Sequence, residues 1–204
     1  NADSKPRALE RGRQALNEAL ERRGRDALAL VDPLVPHFYR VRYAIRDEPR
    51  VSILVPFRDR PELLHCVVGD ILETSTYGNF EIVGINNASA QDETRQAMRD
   101  LAGMDERVRF VDHDRPFNFS AIMNHGARCC SGRHLVFLNN DTTVTPGWLE
   151  SLLGTFEGFP DAGLVGARLV YPDGRLQEAG GIIFNDASGW NYGRGDDPDR
   201  PEYN

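Results

Sequence analysis

Cysteine is scarce in this 204-residue chain: Cys66, Cys129 and Cys130 are the full set, and two of them are adjacent. An odd count with a neighbouring pair builds neither a disulfide framework nor a spaced set of metal ligands. The reading is buried free thiols in a reducing compartment. Long hydrophobic runs are missing too. No stretch approaches the roughly 20 apolar residues that span a bilayer, and the start does not read as a secretory leader. Asn1-Ala2 reads instead as a tag scar or fragment boundary. Basic excess is also lacking, with 24 Lys and Arg against 31 Asp and Glu and a net charge of −7. The imbalance is uneven: residues 1–50 carry 11 basic and 8 acidic side chains, the remainder 13 and 23. An acidic body argues against a nucleic-acid groove. Phosphate ligands stay open, because a divalent cation can bridge carboxylate to phosphate. Two phosphate-binding signatures are absent as well: no G-x-x-x-x-G-K-[ST] occurs, and no G-x-G-x-x-G follows a strand. Gly193-Arg194-Gly195 is only half of the second.

The apolar residues that are present fall into a regular order. Leu9, Leu16 and Leu20 stand near helical spacing among Arg and Glu, predicting an exposed amphipathic helix over 6–24. Tyr39, Val41, Tyr43 and Ile45 alternate with Arg40 and Arg42, predicting a half-buried edge strand. Asp47-Glu48-Pro49 then breaks the chain. The expected division is an extension or linker over 1–48 and a domain over 49–204. Within that domain, apolar runs at 51–55, 80–85, 108–111 and 134–138 alternate with helical stretches near 61–73, 91–103, 118–130 and 146–157. Strand, helix, strand, helix predicts an α/β parallel sheet with covered faces. Each strand ends in polar or turn-forming residues: Pro56-Phe57-Arg58-Asp59, Asn86-Asn87-Ala88-Ser89, Asp112-His113-Asp114 and Asn139-Asn140-Asp141. Parallel sheets bind ligands at those ends.

Asn139-Asn140-Asp141-Thr142 supplies a carboxylate and two carboxamides, hard oxygen ligands of the kind Mg²⁺ or Mn²⁺ takes. The same residues would also serve as a turn and helix cap before Trp148, and spacing alone does not choose. Asn118 and Ser120 stand where capping residues belong. The three Asn-x-Ser/Thr matches at Asn87, Asn118 and Asn140 read as chance. His113, His125 and His134 read as packing or surface residues.

Five ordered motifs carry a resemblance to family 2 glycosyltransferases. They are Val51-Ser-Ile-Leu-Val-Pro56-Phe-Arg-Asp59-Arg-Pro-Glu-Leu-Leu64, Glu81-Ile-Val-Gly-Ile-Asn86-Asn87-Ala88-Ser89, and Pro116-Phe-Asn118-Phe-Ser120-Ala-Ile-Met-Asn124-His-Gly126. Phe137-Leu-Asn139-Asn-Asp141-Thr and Leu169-Val-Tyr-Pro-Asp-Gly174-Arg-Leu-Gln177-Glu-Ala-Gly180-Gly181 complete the set, which resembles the branch found in O-antigen and surface-polysaccharide assembly. The resemblance implies a GT-A fold, mostly parallel with helices on both faces, and inverting transfer from a nucleotide-diphosphate sugar to a saccharide or lipid-linked acceptor. Asn139-Asn140-Asp141 occupies the place of the family's D-x-D motif, so Asp141 is the expected ligand of a divalent cation, Mg²⁺ or Mn²⁺. Asn86 stands where an Asp normally reads the base; an amide offers donor and acceptor to a uracil or thymine edge, hence a UDP- or dTDP-type donor. Pro56 and Phe57 are expected to line the base pocket, with Asp59 near it and Asn124 and Asn139 toward the diphosphate.

The catalytic base in relatives follows the Gly180-Gly181 region. Asp173, Glu178, Asp186, Asp196 and Asp197 are candidates by composition, none is singled out, and the expectation is a base beyond Asn204. The segment from Asn185 to Asn204 has few apolar anchors and is expected to be poorly held, with Trp190 and Tyr192 as candidates for acceptor contact. The expected compartment is the cytoplasm, with peripheral attachment to the inner face of the membrane. Two other readings fit the composition: a non-catalytic nucleotide-sugar- or carbohydrate-binding domain, and a sugar-nucleotide pyrophosphorylase, for which the Gly-rich basic loop is missing.

Overall fold

A computed structural model describes residues 4–32 and 38–203; Asn1-Ala2 and Asn204 lie outside them. The chain forms two compact units, one of them Arg46–Glu150, the other built from the stretches up to Ile45 and from Ser151 onward.

The Arg46–Glu150 unit is a four-stranded parallel sheet in the order β5-β4-β3-β6, with β3 Val51–Phe57, β4 Phe80–Asn86, β5 Val108–Asp112 and β6 His134–Phe137. This is the covered α/β sheet that the alternating runs predict. The central strands are nearly all buried, as unbroken apolar sequences require when helices cover both faces. Crossovers of one hand carry β3 to β4 to β5 in one direction through α2 (Pro61–Thr74) and α3 (Asp92–Met104). The chain then returns through α4 (Phe119–Arg128) to add β6 on the far side of β3, which puts α4 on the opposite face. There Ile122 and Met123 of α4 pack with Leu54, Val83 and Ile85 in one buried cluster. Gly126 lets the helix approach: a Cβ there would stand 2.3 Å from Ile85 Cδ1 and 2.9 Å from Leu54 Cδ2.

A buried carboxylate fixes the opposite, amino-terminal end of the sheet. Glu81 is 3% exposed and accepts hydrogen bonds from Ser52 Oγ at 2.6 Å, Ser131 N at 2.8 Å, Ser131 Oγ at 2.9 Å and Arg109 Nε at 3.0 Å. Ser52 Oγ in turn accepts from Gly132 N at 2.8 Å. Burial alone would raise the Glu81 pKa, but the donors outweigh it and hold the carboxyl at about 2. Glu81 and Ser52 thereby tie the turn after α4 to the sheet and set where β6 begins.

In the other unit, α1 (Ser4–Arg22) matches the amphipathic pattern, and β2 (Tyr39–Tyr43) pairs antiparallel with β1 (Ala27–Val31), a strand the sequence reading did not assign. Only Tyr39 and Tyr43 of β2 are part-buried, while Val41 is 40% exposed, so the alternation overstates how much of this strand is covered. Helix α5 (Trp148–Gly158) opens at the end of the Arg46–Glu150 unit, and the stretch from Ser151 onward goes on to short antiparallel pairs, β7 (Leu169–Val170) with β8 (Leu176–Glu178) and β9 (Gly181–Ile183) with β10 (Gly189–Asn191). The expectation of a poorly held tail from Asn185 is not met. Backbone bonds from Tyr192 N to Gly180 O and Leu176 N to Asp196 O, both 2.8 Å, and a Tyr192–Tyr203 ring contact at 5.4 Å hold it. Main-chain pairing supplies the anchors that a count of apolar side chains does not register.

Candidate functional site

The carboxyl ends of β3, β4, β5 and β6 come together on one edge of the sheet, where Phe57 pairs with Asn86 and Asn86 with Asp112. Pro56 interrupts this edge in an informative way. Leu138 N donates to Leu54 O at 3.0 Å, so the next rung would run from the amide of residue 56 to the Leu138 carbonyl. Proline has no such hydrogen, and it is uncommon in a central strand for that reason. The β3–β6 ladder ends there, and Asn139-Asn140-Asp141 leaves the sheet as a loop. Asp141 is exposed, and among the described residues its carboxylate has no hydrogen-bond or ion-pair partner.

Phe57 is 4% exposed and meets Phe110 edge-on, ring centroids 5.8 Å apart, above Gly84. Its ring belongs to the core, and the half-buried Pro56 is the more accessible of the pair. Asp59 Oδ1 accepts from Ala90 N at 2.8 Å and Gln91 N at 2.9 Å, capping the start of α3, while its own N–H donates to Ser89 Oγ at 2.8 Å. These bonds offset a local strain. Asp59, Arg60 and Ala88 all lie in the left-handed region, with φ of 53°, 56° and 55°.

Asn86 is 6% exposed, and both ends of its amide are engaged: Oδ1 accepts from Ser89 N at 3.0 Å and Nδ2 donates to Asp112 Oδ1 at 2.8 Å. Asp112 itself is exposed and forms no ion pair among the described residues. In the sequence Asp112 is one residue of a polar strand end; the parallel register that brings it beside Asn86 is invisible in one dimension. Asn87, buried, donates to the carbonyls of His113 and Arg115 and locks the two loops together. His113 is buried against His125, ring centroids 5.4 Å apart.

Asn118 caps α4, its Oδ1 accepting from Ala121 N at 3.0 Å, and Asn124 is exposed on the same helix. Among the acidic candidates for a base, Asp173 pairs with Arg175, Asp186 accepts from Ser188, Asp196 from Tyr203 Oη and Arg200, and Asp197 from Asp199 N. Trp190 is 58% exposed. All three cysteines are free, as read, but Cys66 is exposed and the others only part-buried.

Among the described residues, no three His, Cys, Asp or Glu side chains gather as a metal cage. The donor set of the Asn139–Asp141 loop is one free carboxylate preceded by two carboxamides. That set suits a hard cation that draws most of its ligands from water and phosphate oxygens, and suits zinc or a soft metal poorly.

Open parallel α/β sheets take their ligands at the carboxyl ends of the strands, the edge on which these polar loops lie. Residues 52–201 match the Glycosyl transferase family 2 model, and the chain belongs to that family. It is 40% identical over 177 residues to the O-antigen biosynthesis protein RfbC of Myxococcus xanthus, covering 86% of this chain and 14% of that protein. It is 38% identical over 181 residues to the uncharacterized protein y4gI of Sinorhizobium fredii, covering 88% and 20%. The chain therefore spans a fifth or less of the length of these two relatives. Among solved structures, a mannosyltransferase from Pyrobaculum calidifontis, in complex with GDP-Man and Mn²⁺, aligns over 61% of this chain and 36% of its own at 21% identity and a TM-score of 0.49. No helix among the described residues is long and apolar enough to cross a membrane.

Proposed function

We propose that residues 49–204 form the donor-binding part of an inverting glycosyltransferase, which passes a sugar from a UDP- or dTDP-type nucleotide to a saccharide or lipid-linked acceptor. The observation that carries this is Asp141: a free, exposed carboxylate that Pro56 sends off the ligand edge of the sheet, in a chain of this family. Asp141 would hold a Mg²⁺ or Mn²⁺ ion, with the carboxamides of Asn139 and Asn140 beside it. Such a cation, when bound, neutralises the charge that a departing diphosphate develops. Asn139 keeps an oxygen at the first position of the motif and gives up one charge, which leaves the site leaning on the substrate's own phosphates.

The remaining residues bind and orient. Asn86 has one amide hydrogen left for a base, since Ser89 N occupies its oxygen. Asp112, beside it, keeps an oxygen free to accept. Together they would present one donor and one acceptor, matching the O4 and N3–H of uracil or thymine. Pro56 would border that pocket, while Phe57 and Asp59 shape it from behind, the first as core and the second by capping α3. Asn124 would face the diphosphate from α4. The similarity to an O-antigen biosynthesis protein supports a surface-polysaccharide acceptor. The proposed place of transfer is the cytoplasm, at the inner face of the membrane. No residue is assigned as the base.

Calorimetry tests the reading. UDP or dTDP should bind the parent chain at least 10-fold more tightly with Mn²⁺ than with EDTA, on the order of the effects expected of direct and supporting metal ligands. Asp141→Ala should lose that difference while keeping its circular dichroism. Equal affinity with and without metal in the parent would remove the role given to Asp141.

A further inference from the structure

The loop that carries Asn139, Asn140 and Asp141 is held by very little. From Asn139 to Val144, among the described residues, one hydrogen bond ties it to the rest of the protein: Val144 N donates to Asp70 Oδ2 at 2.6 Å. Asp70 sits in the third turn of α2, where Thr74 Oγ1 also donates to its other oxygen at 3.3 Å. The same end of α2 grips the first turn of α5 twice more. Trp148 Nε1 donates to Ser75 Oγ at 2.9 Å, and Thr76 Oγ1 donates to Glu150 Oε1 at 2.6 Å.

Aspartate is a poor interior helix residue, because its side chain competes for backbone partners. Its place here is explained by the tertiary contact, not by α2 itself. A carboxylate accepting a backbone N–H makes a short, charge-assisted bond, about twice as strong as a neutral one. We propose that Asp70 is a positioning residue for the cation-binding loop: by holding Val144 it sets where the Asp141 carboxylate stands, three residues away. The proposal rests on the reading of Asp141 given above. Without the anchor, the loop must be ordered at the moment of binding, and affinity falls by what that ordering costs.

The test uses four chains: the parent, Asp70→Ala, Asp70→Asn and Thr76→Val. Each is titrated with UDP in Mn²⁺ and in EDTA, and hydrogen exchange is followed across 139–147 without ligand. Asp70→Ala should weaken Mn²⁺-dependent binding about 10-fold, as loss of a supporting contact does at metal sites, and leave binding in EDTA unchanged. Asp70→Asn keeps an acceptor oxygen and should stay within about 3-fold of the parent. Thr76→Val loosens the α5 side alone and should leave binding as it was. Exchange over 139–147 should speed up in Asp70→Ala only. Parent-like binding and exchange in Asp70→Ala overturns the proposal, and so does an equal loss in Thr76→Val. If UDP ignores Mn²⁺ in the parent, the reading of Asp141 fails. The exchange arm then still decides whether Asp70 orders the loop.

Discussion

Acid should unfold this protein through Glu81. Its carboxylate is 3% exposed and held at about 2, against an ordinary 4.5, by Ser52, Ser131 and Arg109. A group whose folded pKa is depressed adds stability that is complete above its unfolded value and disappears as pH falls toward the folded one. The contribution should therefore be intact at pH 5 and above and fade between about 4.5 and 2. At about 1.4 kcal/mol per pH unit, that drop is worth at most about 3.5 kcal/mol, and less in practice, because the Arg109 side chain is 38% exposed and solvent screens its share. Glu81→Gln removes the charge and keeps the shape, but its amide hydrogens would oppose the Arg109 guanidinium. The expected loss at pH 7 is about 2–3 kcal/mol, or roughly 5–10 °C in Tm for a chain of this size. Urea unfolding of parent and variant, followed by circular dichroism at pH 7, 5, 3.5 and 2.5, reads the effect. The two curves should stand apart at pH 7 and converge at the acid end. A variant within about 0.5 kcal/mol of the parent at pH 7, with the same acid dependence, would refute the assignment.

Two further outcomes follow from packing and capping. Gly126→Ala should cost about 1–3 kcal/mol, because its Cβ meets Ile85 and Leu54 at 2.3 and 2.9 Å and α4 must move away from the sheet; thermal melts would read this, and an unchanged Tm would show that α4 yields freely. Asn118→Ala removes the cap on α4 and should cost about 1 kcal/mol, with Asn118→Ser recovering most of it; if the cap variant instead abolished nucleotide binding without loss of stability, Asn118 would be a ligand contact.

How much was legible beforehand depends on the range of the interactions involved. The four strand runs of the parallel sheet, the helices between them and the polar strand ends could be read from 51 onward. Burial on both faces and helical coverage each leave a local pattern in the chain. The family could be read as well, because its motifs are short, contiguous and ordered, and the match over 52–201 confirms it. Strand β1 was missed, since Ala27–Val31 is apolar throughout and shows no alternation with polar residues, and it is its partner β2 that makes it a strand.

Tertiary structure decided what each polar residue is free to do. In sequence, Asn86 offers a donor and an acceptor; in the fold its oxygen already accepts from Ser89 N, and one amide hydrogen goes to Asp112, 26 residues away. Phe57 looks like a pocket wall until Phe110 closes over it. Asp70 looks like one more charge on a helix until Val144, 74 residues downstream, donates to it. Proline 56 could be read as a turn, yet its effect is to withhold one hydrogen from β6 and so release Asp141 from the sheet. Which elements form and which family they belong to is local information, because both follow from residue patterns within short spans of chain. Which hydrogen-bonding groups remain unspent at the ligand edge was decided by strand register, and register exists only once distant segments lie side by side.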